Sequence, residues 1–214
     1  LANCGTCGTN CNTQVQNASG KICSSSACTY TTCSSNFGDC NSNVADGCEA
    51  SLQNNVNQCG GCSMACSASN ISEACSGGSC EGASCDADFA DCDGNKRSNG
   101  CEINTKTHAS HCGGCSMACS NSHIASPTCS GGNCNGSCDS GFGDCDNDKR
   151  TNGCEVELTT ATANCGACGT NCATAVANVV GTISCATNAC TYTGACADGF
   201  GDCDGNKANG CETN

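Results

Sequence analysis

Four short loops carry most of the side chains in this sequence that could bind a cation. We call them acidic loops 1 to 4; they are residues 39–49, 91–102, 144–155 and 202–212, and they hold 13 of the 20 acidic residues. In acidic loop 2, oxygen-bearing side chains fall at positions 1, 3, 5, 9 and 12 counted from Asp91. These are the offsets of an EF-hand calcium loop, and a hard cation prefers such clustered oxygen ligands. The spacing therefore predicts calcium as the ion that these loops would bind.

The four loops share this arrangement, with two departures from an EF-hand. Position 6, which should be glycine for the sharp turn, is Lys96 in loop 2 and Lys149 in loop 3. Loops 1 and 4 are one residue shorter, so their glutamates fall at position 11. The candidate ligands are Asp39, Asn41, Asn43 and Glu49 in loop 1; Asp91, Asp93, Asn95, Asn99 and Glu102 in loop 2; Asp144, Asp146, Asp148, Asn152 and Glu155 in loop 3; and Asp202, Asp204, Asn206 and Glu212 in loop 4.

A metal-free interpretation of the acidic loops remains open. Aspartate and asparagine also form Asx-turns and cap backbone amides, which a loop bounded by cystines would need. Five of the seven basic residues lie inside the loops and could neutralise the carboxylates; they are Lys96, Arg97, Lys149, Arg150 and Lys207. Neither interpretation requires a cofactor, and calcium is the ion that the first one names.

The elements that must position these loops are defined by cysteine. The chain has 32 cysteines in 214 residues, a density typical of disulfide scaffolds. They form four sets of eight: C-x2-C-x3-C, a C-x4-C pair, a sixth cysteine, a seventh inside the acidic loop and an eighth near its end. Because every set is even, pairing inside the sets is favoured over pairing between them, with sixteen disulfides in all. Spacing alone leaves the connectivity open.

The cysteine sets divide the chain into four units of two types. Units 1 (1–51) and 4 (158–214) are type A and share Gly-Thr-Asn-Cys and Cys-Thr-Tyr-Thr; units 2 (52–104) and 3 (105–157) are type B and share Cys-Gly-Gly-Cys-Ser-Met-Ala-Cys. The two types reflect either duplication history or a contact that only the end units make. We expect small disulfide-rich repeats, loop-dominated with short β-hairpins at the C-x4-C pairs, four tandem units forming an elongated rod. Linker residues 49–53 are expected to form one helical turn.

Composition argues against several classes of function. A net charge of −13 with only seven lysines and arginines disfavours binding to nucleic acid or an anionic membrane. No stretch approaches the ~18 apolar residues of a membrane span. Nothing resembles a set of nucleophile, base and orienting residue, so we do not expect an enzyme. Stable disulfides at this density need an oxidising compartment, which predicts an extracellular or cell-surface location.

The end of the chain resembles a known kind of repeat. Residues 165–172 (Cys-Gly-Ala-Cys-Gly-Thr-Asn-Cys) and 200–214 (Phe-Gly-Asp-Cys-Asp-Gly-Asn-Lys-Ala-Asn-Gly-Cys-Glu-Thr-Asn) carry the motif. They are similar to tandem cysteine-rich repeats of large secreted bacterial surface proteins, and the pattern extends over the whole chain. The resemblance implies an extracellular location and a structural or adhesive role, and it supplies no catalytic residue.

From these features we expect a structural subunit of an extracellular filament or surface layer. It would be rigidified by disulfides within the units and assembled head-to-tail as a homopolymer, with unit 4 of one subunit against unit 1 of the next. The alternative is a secreted adhesin stalk or a calcium-dependent carbohydrate-binding module. Asn17, Asn70 and Asn135 match the N-glycosylation sequon. They are candidate sites for glycans, as are the serines and threonines, and unmodified polar loops are the alternative.

Overall fold

The computed structural model describes residues 1–213, which form mostly loops held together by disulfides. Contacts divide the chain into two compact halves, Leu1–Asn104 and Thr105–Asn214. Units 1 and 2 lie in the first half, and units 3 and 4 lie in the second. The sheets of the described residues are all two-stranded and antiparallel. The predicted fold class of small disulfide-rich repeats with short hairpins is confirmed.

The helices are single turns, and most strands have two or three residues. No helix within residues 1–213 is long and apolar enough to cross a membrane. The first half contains α1 (Cys11–Gln14), β1 (Ala18–Ser19), β2 (Ile22–Ser24), β3 (Ala27–Thr29), β4 (Thr32–Cys33), β5 (Phe37–Gly38), β6 (Ala50–Ser51), β7 (Phe89–Ala90) and β8 (Ile103–Asn104). The second half contains a 3-10 turn (Ala109–His111), β9 (Thr128–Ser130), β10 (Asn133–Asn135), β11 (Phe142–Gly143), β12 (Val156–Glu157), α2 (Cys172–Ala175), β13 (Val179–Ala186), β14 (Ala189–Cys196), β15 (Phe200–Gly201) and β16 (Glu212–Thr213).

The C-x4-C pairs form the predicted hairpins in three units: β2 with β3, β9 with β10, and β13 with β14. Each turn has two residues, both with positive φ, as a type I′ turn requires. Glycine supplies this conformation in unit 3, where Gly131 and Gly132 have φ of 61° and 80°. Unit 1 reaches it with Ser25 and Ser26, at 50° and 65°. In unit 2 the hairpin is reduced to a single bridge between Ser76 and Ser79.

The two unit types differ in structure around the third cysteine. In type A, the asparagine of Gly-Thr-Asn-Cys caps a one-turn helix: Asn10 accepts from the amide of Asn12 in unit 1, and Asn171 accepts from that of Ala173 in unit 4. Type B has alanine at this position and no helix there. Instead, Arg97 of unit 2 donates to the carbonyls of Cys59, Met64 and Gly78. Arg150 makes the equivalent bonds in unit 3.

The buried clusters of units 1 and 4 consist largely of disulfide-bonded cysteines. In unit 1 the buried cluster contains Cys4, Cys11, Cys28 and Cys48 around Val15 and Ala18. The equivalent cluster in unit 4 adds Tyr192, which is only 5% exposed. Phe37, Phe89 and Phe200 are half-buried and pack against the cluster of their own unit. Phenylalanine therefore borders the core, and in unit 4 the more deeply buried aromatic residue is a tyrosine.

The linkers are strands, so the predicted helical turn at residues 49–53 is wrong. Ala50–Ser51 pairs with Phe37–Gly38, and the next two linkers pair with the Phe-Ala and Phe-Gly strands of units 2 and 3. A two-residue strand next to a phenylalanine satisfies the linker backbone with partners from the preceding unit. Each linker is thereby fixed to the unit that it leaves.

Candidate functional site

Each acidic loop is closed by its last glutamate. The carboxylate of Glu102 accepts from the amide of Cys92 at 2.9 Å, and Glu155 and Glu212 accept from the amides of Cys145 and Cys203 at 2.9 Å. In loop 1, Glu49 accepts from both Cys40 and Asn41 at 3.1 Å. The amide held in every loop is that of the seventh cysteine. The loop therefore fixes the backbone from which this cysteine projects.

Asx-turns build the first half of each loop. In loop 2 Asp93 accepts from the amide of Asn95 at 2.9 Å, and Asp91 accepts from that of Gly94 at 2.8 Å. The same turn is made by Asn41, Asp146 and Asp204 in the other loops. Position 5 then caps the next turn in every loop, through Asn43, Asn95, Asp148 and Asn206. These bonds are the ones that the metal-free interpretation names.

A second set of bonds lowers the pKa of the aspartate at position 3. Asn99 donates to Asp93 and Asn152 donates to Asp146, both at 2.8 Å. These side-chain bonds are the main cause of the lowered pKa of both carboxyls, followed by the Asx-turn amide. In loop 4 the order is reversed, and the amide of Asn206 is the larger cause of the lowered pKa of Asp204. The three carboxylates are thus held in their charged form.

The loops also contain oxygen atoms that the protein leaves without a hydrogen bond. In loop 2, Asp91, Asp93 and Glu102 each offer a carboxylate oxygen, and these three atoms lie within 4.8 Å of one another. Two ligands of one calcium ion can be separated by about this distance, since each Ca–O contact is about 2.3–2.6 Å. Among the described residues, the buried side-chain oxygens that lack a partner all belong to acidic loops; they lie on Asp46, Asn99, Glu102, Asp144, Asn152 and Asp202.

The basic residues of loops 2 and 3 bind backbone carbonyls outside the loops. Lys96 donates to the carbonyls of Glu81 and Ala83 at 3.1 and 3.0 Å, and Lys149 donates to that of Gly136 at 2.9 Å. The arginines bond to the carbonyls near the first cysteine and the hairpin turn, as described above. In loop 4, Lys207 lies 5.4 Å from the centroid of the Tyr192 ring. These cations tie the acidic loops to the rest of their units.

Loops 1 and 4 contain two further residues that take part in the same hydrogen bonds. Counting positions from the first aspartate did not identify them. Asn209 donates to Asp204 at 3.0 Å, as Asn99 does to Asp93. Asp46 occupies the matching place in loop 1 and accepts from Asn41. The signal was present in the sequence, because all these residues directly precede the Gly-Cys of the eighth cysteine. Alignment on that cysteine would have found them.

The tyrosine of type A units is also part of the loop. Tyr30 donates to Asp39 at 3.0 Å, and Tyr192 donates to Asp202 at 3.4 Å. Burial is the largest cause of the raised pKa of both hydroxyls, and the neighbouring aspartate adds to it. The tyrosine of the Cys-Thr-Tyr-Thr motif shared by units 1 and 4 therefore contacts the acidic loop of its own unit.

Three of the four disulfides expected in each unit do lie inside it. The first cysteine pairs with the fourth, the third with the fifth, and the sixth with the eighth; in unit 1 these are Cys4–Cys23, Cys11–Cys28 and Cys33–Cys48. All four units repeat the pattern. The two facing cysteines of a hairpin are thus bonded to different partners, which fastens the hairpin to the turn before it.

The seventh and second cysteines overturn the prediction that all pairing lies within units. Cys40 of unit 1 pairs with Cys62 of unit 2, and Cys145 of unit 3 pairs with Cys168 of unit 4. Cys92 and Cys115 hold the equivalent positions in units 2 and 3, and both are disulfide-bonded. The physical reason is the linker, which runs back along its own unit and brings the next second cysteine to the acidic loop.

Fifteen disulfides form, one fewer than the sixteen expected. Cys7, the second cysteine of unit 1, and Cys203, the seventh cysteine of unit 4, are exposed and unpaired. Their counterparts in the other units include Cys62 and Cys168 for Cys7, and Cys40 and Cys145 for Cys203, all of which are bonded between units.

The candidate glycosylation sites differ in their surroundings. The amide groups of Asn17 and Asn70 donate to the carbonyls of Cys48 and Cys101 at 3.0 Å and are half-buried. Asn135 is exposed on β10. Among the three, it offers the most accessible side chain.

Comparison of this chain with protein-family models, with curated proteins and with solved structures finds no match.

Proposed function

We propose that this protein is a structural subunit of an extracellular filament or surface layer, assembled head-to-tail through units 1 and 4. The role is non-catalytic and rests on rigidity. Dense disulfide bonding is typical of proteins outside the cytosol, and the sequence resembles repeats of secreted bacterial surface proteins. The disulfides that confer rigidity lie both within units and between neighbouring units.

The observation that carries the proposal is the repeated junction between units. Leu52, the first residue of unit 2, donates from its amide to the carbonyl of Asn36 in unit 1 at 2.8 Å, and Leu158, the first residue of unit 4, donates to that of Gly141 in unit 3 at 2.7 Å. The linking disulfides have similar Cα–Cα distances of 5.1 and 5.3 Å. A unit thus has one surface that receives the next unit and another that meets the previous one. Heterologous surfaces of this kind generate open polymers when the rotation between subunits does not close a ring.

Electron microscopy of the native protein tests this function. Negatively stained material should show ordered polymers whose repeat matches one chain. Discrete monomers in every buffer, including one with calcium and physiological salt, would contradict the filament and favour the alternative of an adhesin stalk.

We further propose that the acidic loops bind calcium, which would add to the rigidity of the array. The supporting observation is that buried oxygen atoms of five predicted ligands lack hydrogen bonds: those of Asn99, Glu102, Asp144, Asn152 and Asp202. Buried polar atoms usually make at least one hydrogen bond, so a buried oxygen without one indicates a binding partner. A cation would supply one to all of them, and the Asx-turns would orient the ligands.

Calorimetric titration of the full chain with calcium tests this second function. We expect heat of binding in the wild type and a rise in melting temperature, because a ligand of the folded state stabilises it. Glu102→Gln keeps an acceptor for the Cys92 amide but removes the charge, and it should weaken binding at loop 2. Glu81→Gln, an exposed residue outside the loops, is the control. If neither heat nor a melting shift is seen in the wild type, the loops are Asx-turn structures alone.

A further inference from the structure

We propose that Cys203 of one molecule forms a disulfide with Cys7 of a second copy, so that the chain becomes a covalent polymer. This inference rests on the proposed head-to-tail function and names the bond that would hold the subunits together. The partner is a second copy of this chain, because the chemistry required is that of the second and seventh cysteines of its own repeat.

Position within the repeat is the first argument. The two unpaired cysteines are the second of unit 1 and the seventh of unit 4. Inside the chain the seventh cysteine bonds to the second of the next unit in both Cys40–Cys62 and Cys145–Cys168. Their Cα–Cα distances of 5.1 and 5.3 Å lie within the range that disulfides normally span. A bond between Cys203 and Cys7 would join the same two positions of the repeat.

The turn that presents Cys7 has the same construction as the turns whose cysteines are bonded. The side chain of Asn3 accepts from the amide of Gly8 at 2.9 Å, and Asn164 accepts from Gly169 at 2.8 Å in the turn of Cys168. The backbone that precedes the first cysteine makes matching hydrogen bonds in the two units. Cys11 donates to the carbonyl of Leu1 at 3.0 Å, as Cys172 does to that of Thr162 at 2.7 Å. The turn of unit 1 therefore already has the structure that presents a second cysteine to a seventh cysteine.

The surface around Cys203 is less covered than the equivalent surfaces of units 1 and 3. A Cβ atom on Gly38 would lie 3.0 Å from Cys62 Sγ, and one on Gly143 would lie 3.2 Å from Cys168 Sγ. A leucine of the linker covers each of these glycines too, at 3.3 and 3.1 Å. Gly201 is the equivalent residue in unit 4, and among the described residues its Cβ would meet only Cys203 Sγ, at 3.8 Å. This uncovered surface is where the second copy would dock.

The bond forms by two thiol–disulfide exchanges with a small-molecule disulfide as the oxidant. The Cys203 thiolate attacks one sulfur of the oxidant, forming a mixed disulfide and releasing one small thiolate. The Cys7 thiolate of the second copy then attacks the Cys203 sulfur and releases the other small thiolate. Two protein thiols are oxidised to one disulfide, the oxidant is reduced to two thiols, and each protein thiol gives up one proton.

The test mixes two variants that can each use only one end. Cys7→Ser leaves Cys203 as the unpaired thiol, and Cys203→Ser leaves Cys7; neither substitution disturbs a disulfide of the fold. The two full-length proteins, one carrying a mass tag, are combined in a glutathione redox buffer and analysed by non-reducing electrophoresis and mass spectrometry. We expect heterodimers to exceed homodimers roughly tenfold, since thiol exchange at equilibrium selects the complementary pair. The cross-linked peptides should contain Cys7 and Cys203.

A matched control moves the thiol of unit 1 by one residue. Thr6→Cys combined with Cys7→Ser and Cys203→Ser keeps one exposed thiol in the same turn but removes it from the position that is bonded at the internal junctions. Mixed with the Cys7→Ser variant, whose thiol is Cys203, this control should form far less dimer than Cys203→Ser does. Equal yields from the two positions, statistical pairing of homodimers and heterodimers, or an internal bond in monomeric wild type would each overturn the proposal.

One further variant separates this proposal from the filament itself. Cys7→Ser with Cys203→Ser should abolish the ladder of covalent oligomers that the wild type forms. If that double variant and the wild type make equally stable polymers by microscopy, and the wild type shows no Cys7–Cys203 peptide, the filament stands and the covalent link is wrong. If the wild type makes neither polymers nor the linked peptide, both are wrong.

Discussion

Gly100 shows how one residue holds an acidic loop against its unit. Its φ is +74°, and a Cβ atom there would lie 2.2 Å from the carbonyl oxygen of Ser69. The adjacent amide of Cys101 donates to that same oxygen at 3.0 Å. Gly153 and Gly210 are in the same situation, with Cβ contacts of 2.3 and 2.2 Å. Glycine before the eighth cysteine is therefore required for both its conformation and its size.

We expect Gly100→Ala to reduce the free energy of unfolding by more than about 2 kcal/mol, because positive φ and a backbone clash act together. Gly94→Ala is the matched control. It lies in the same loop at φ +78° with nothing within 4 Å of the added atom, so its cost should be about 1 kcal/mol or less. Denaturant unfolding followed by circular dichroism measures both. Equal losses would show that the close approach to Ser69 is unimportant.

Asn99→Ala should raise the pKa of Asp93 toward its ordinary value, because the bond from Asn99 is the main cause of the lowered pKa. A carboxyl whose pKa is lowered on folding stabilises the fold above about pH 4, and this contribution is lost as the pH falls through the folded pKa. The variant should lose the part of this acid dependence that comes from Asp93. NMR titration of the carboxyl carbons in calcium-free buffer measures the pKa, and Asp146, bonded by Asn152, is the internal control. An unchanged pKa of Asp93 would contradict the assignment.

At the scale of the elements, hairpin and linker act together at each junction. The linker strand Ala50–Ser51 pairs with Phe37–Gly38 of its own unit. The next residue, Leu52, donates from its amide to the carbonyl of Asn36 in unit 1 and accepts at its own carbonyl from the amide of Gly60 in unit 2. The disulfide between Cys40 and Cys62 closes over this contact. The glycine pairs at the hairpin turns can be recognised in the sequence. In unit 1 the turn residues are Ser25 and Ser26, and serine does not favour positive φ. There the bonded cysteines on both sides impose the turn.

Removing the junction disulfide should uncouple units 1 and 2 without unfolding either. In Cys40→Ser with Cys62→Ser, the three internal disulfides of each unit remain. After cleavage at Leu52 by a protease specific for apolar residues, the wild type should stay as one species until it is reduced. The double variant should separate into two fragments without reduction, as seen by size-exclusion chromatography and intact mass. Separation of the cleaved wild type without reductant would contradict the junction bond.

At the scale of the whole molecule, the disulfides form a continuous path from unit to unit within each half. Cys40–Cys62 joins units 1 and 2, and Cys145–Cys168 joins units 3 and 4. Cys7 of unit 1 and Cys203 of unit 4 are exposed and unpaired. Large apolar side chains contribute little to such a protein, since covalent links supply the stability that small units cannot obtain from burial.

Alkylation of the monomer without reduction should modify two cysteines. The labelled peptides should contain Cys7 and Cys203, because these are the unpaired thiols. The fifteen disulfides should make the oxidised chain lighter than the reduced chain by two hydrogens each. Intact-mass and peptide-mapping experiments measure both quantities. Absence of labelling, with a mass that requires a sixteenth bond, would show that these two cysteines pair in the monomer.

The amino-acid sequence was sufficient to predict the fold class, the hairpins of units 1, 3 and 4, and which residues the acidic loops contain. Cysteine spacing and turn residues are local properties, and they act before distant parts of the chain meet. The pairing of the cysteines follows only from the folded structure. The linker lies back along its own unit as a strand instead of a helix, and this carries Cys62 to Cys40. Cysteine spacing contains no information on that path. The even count of cysteines therefore predicted closed units, whereas the folded chain bonds Cys40 to Cys62 and Cys145 to Cys168 across unit boundaries.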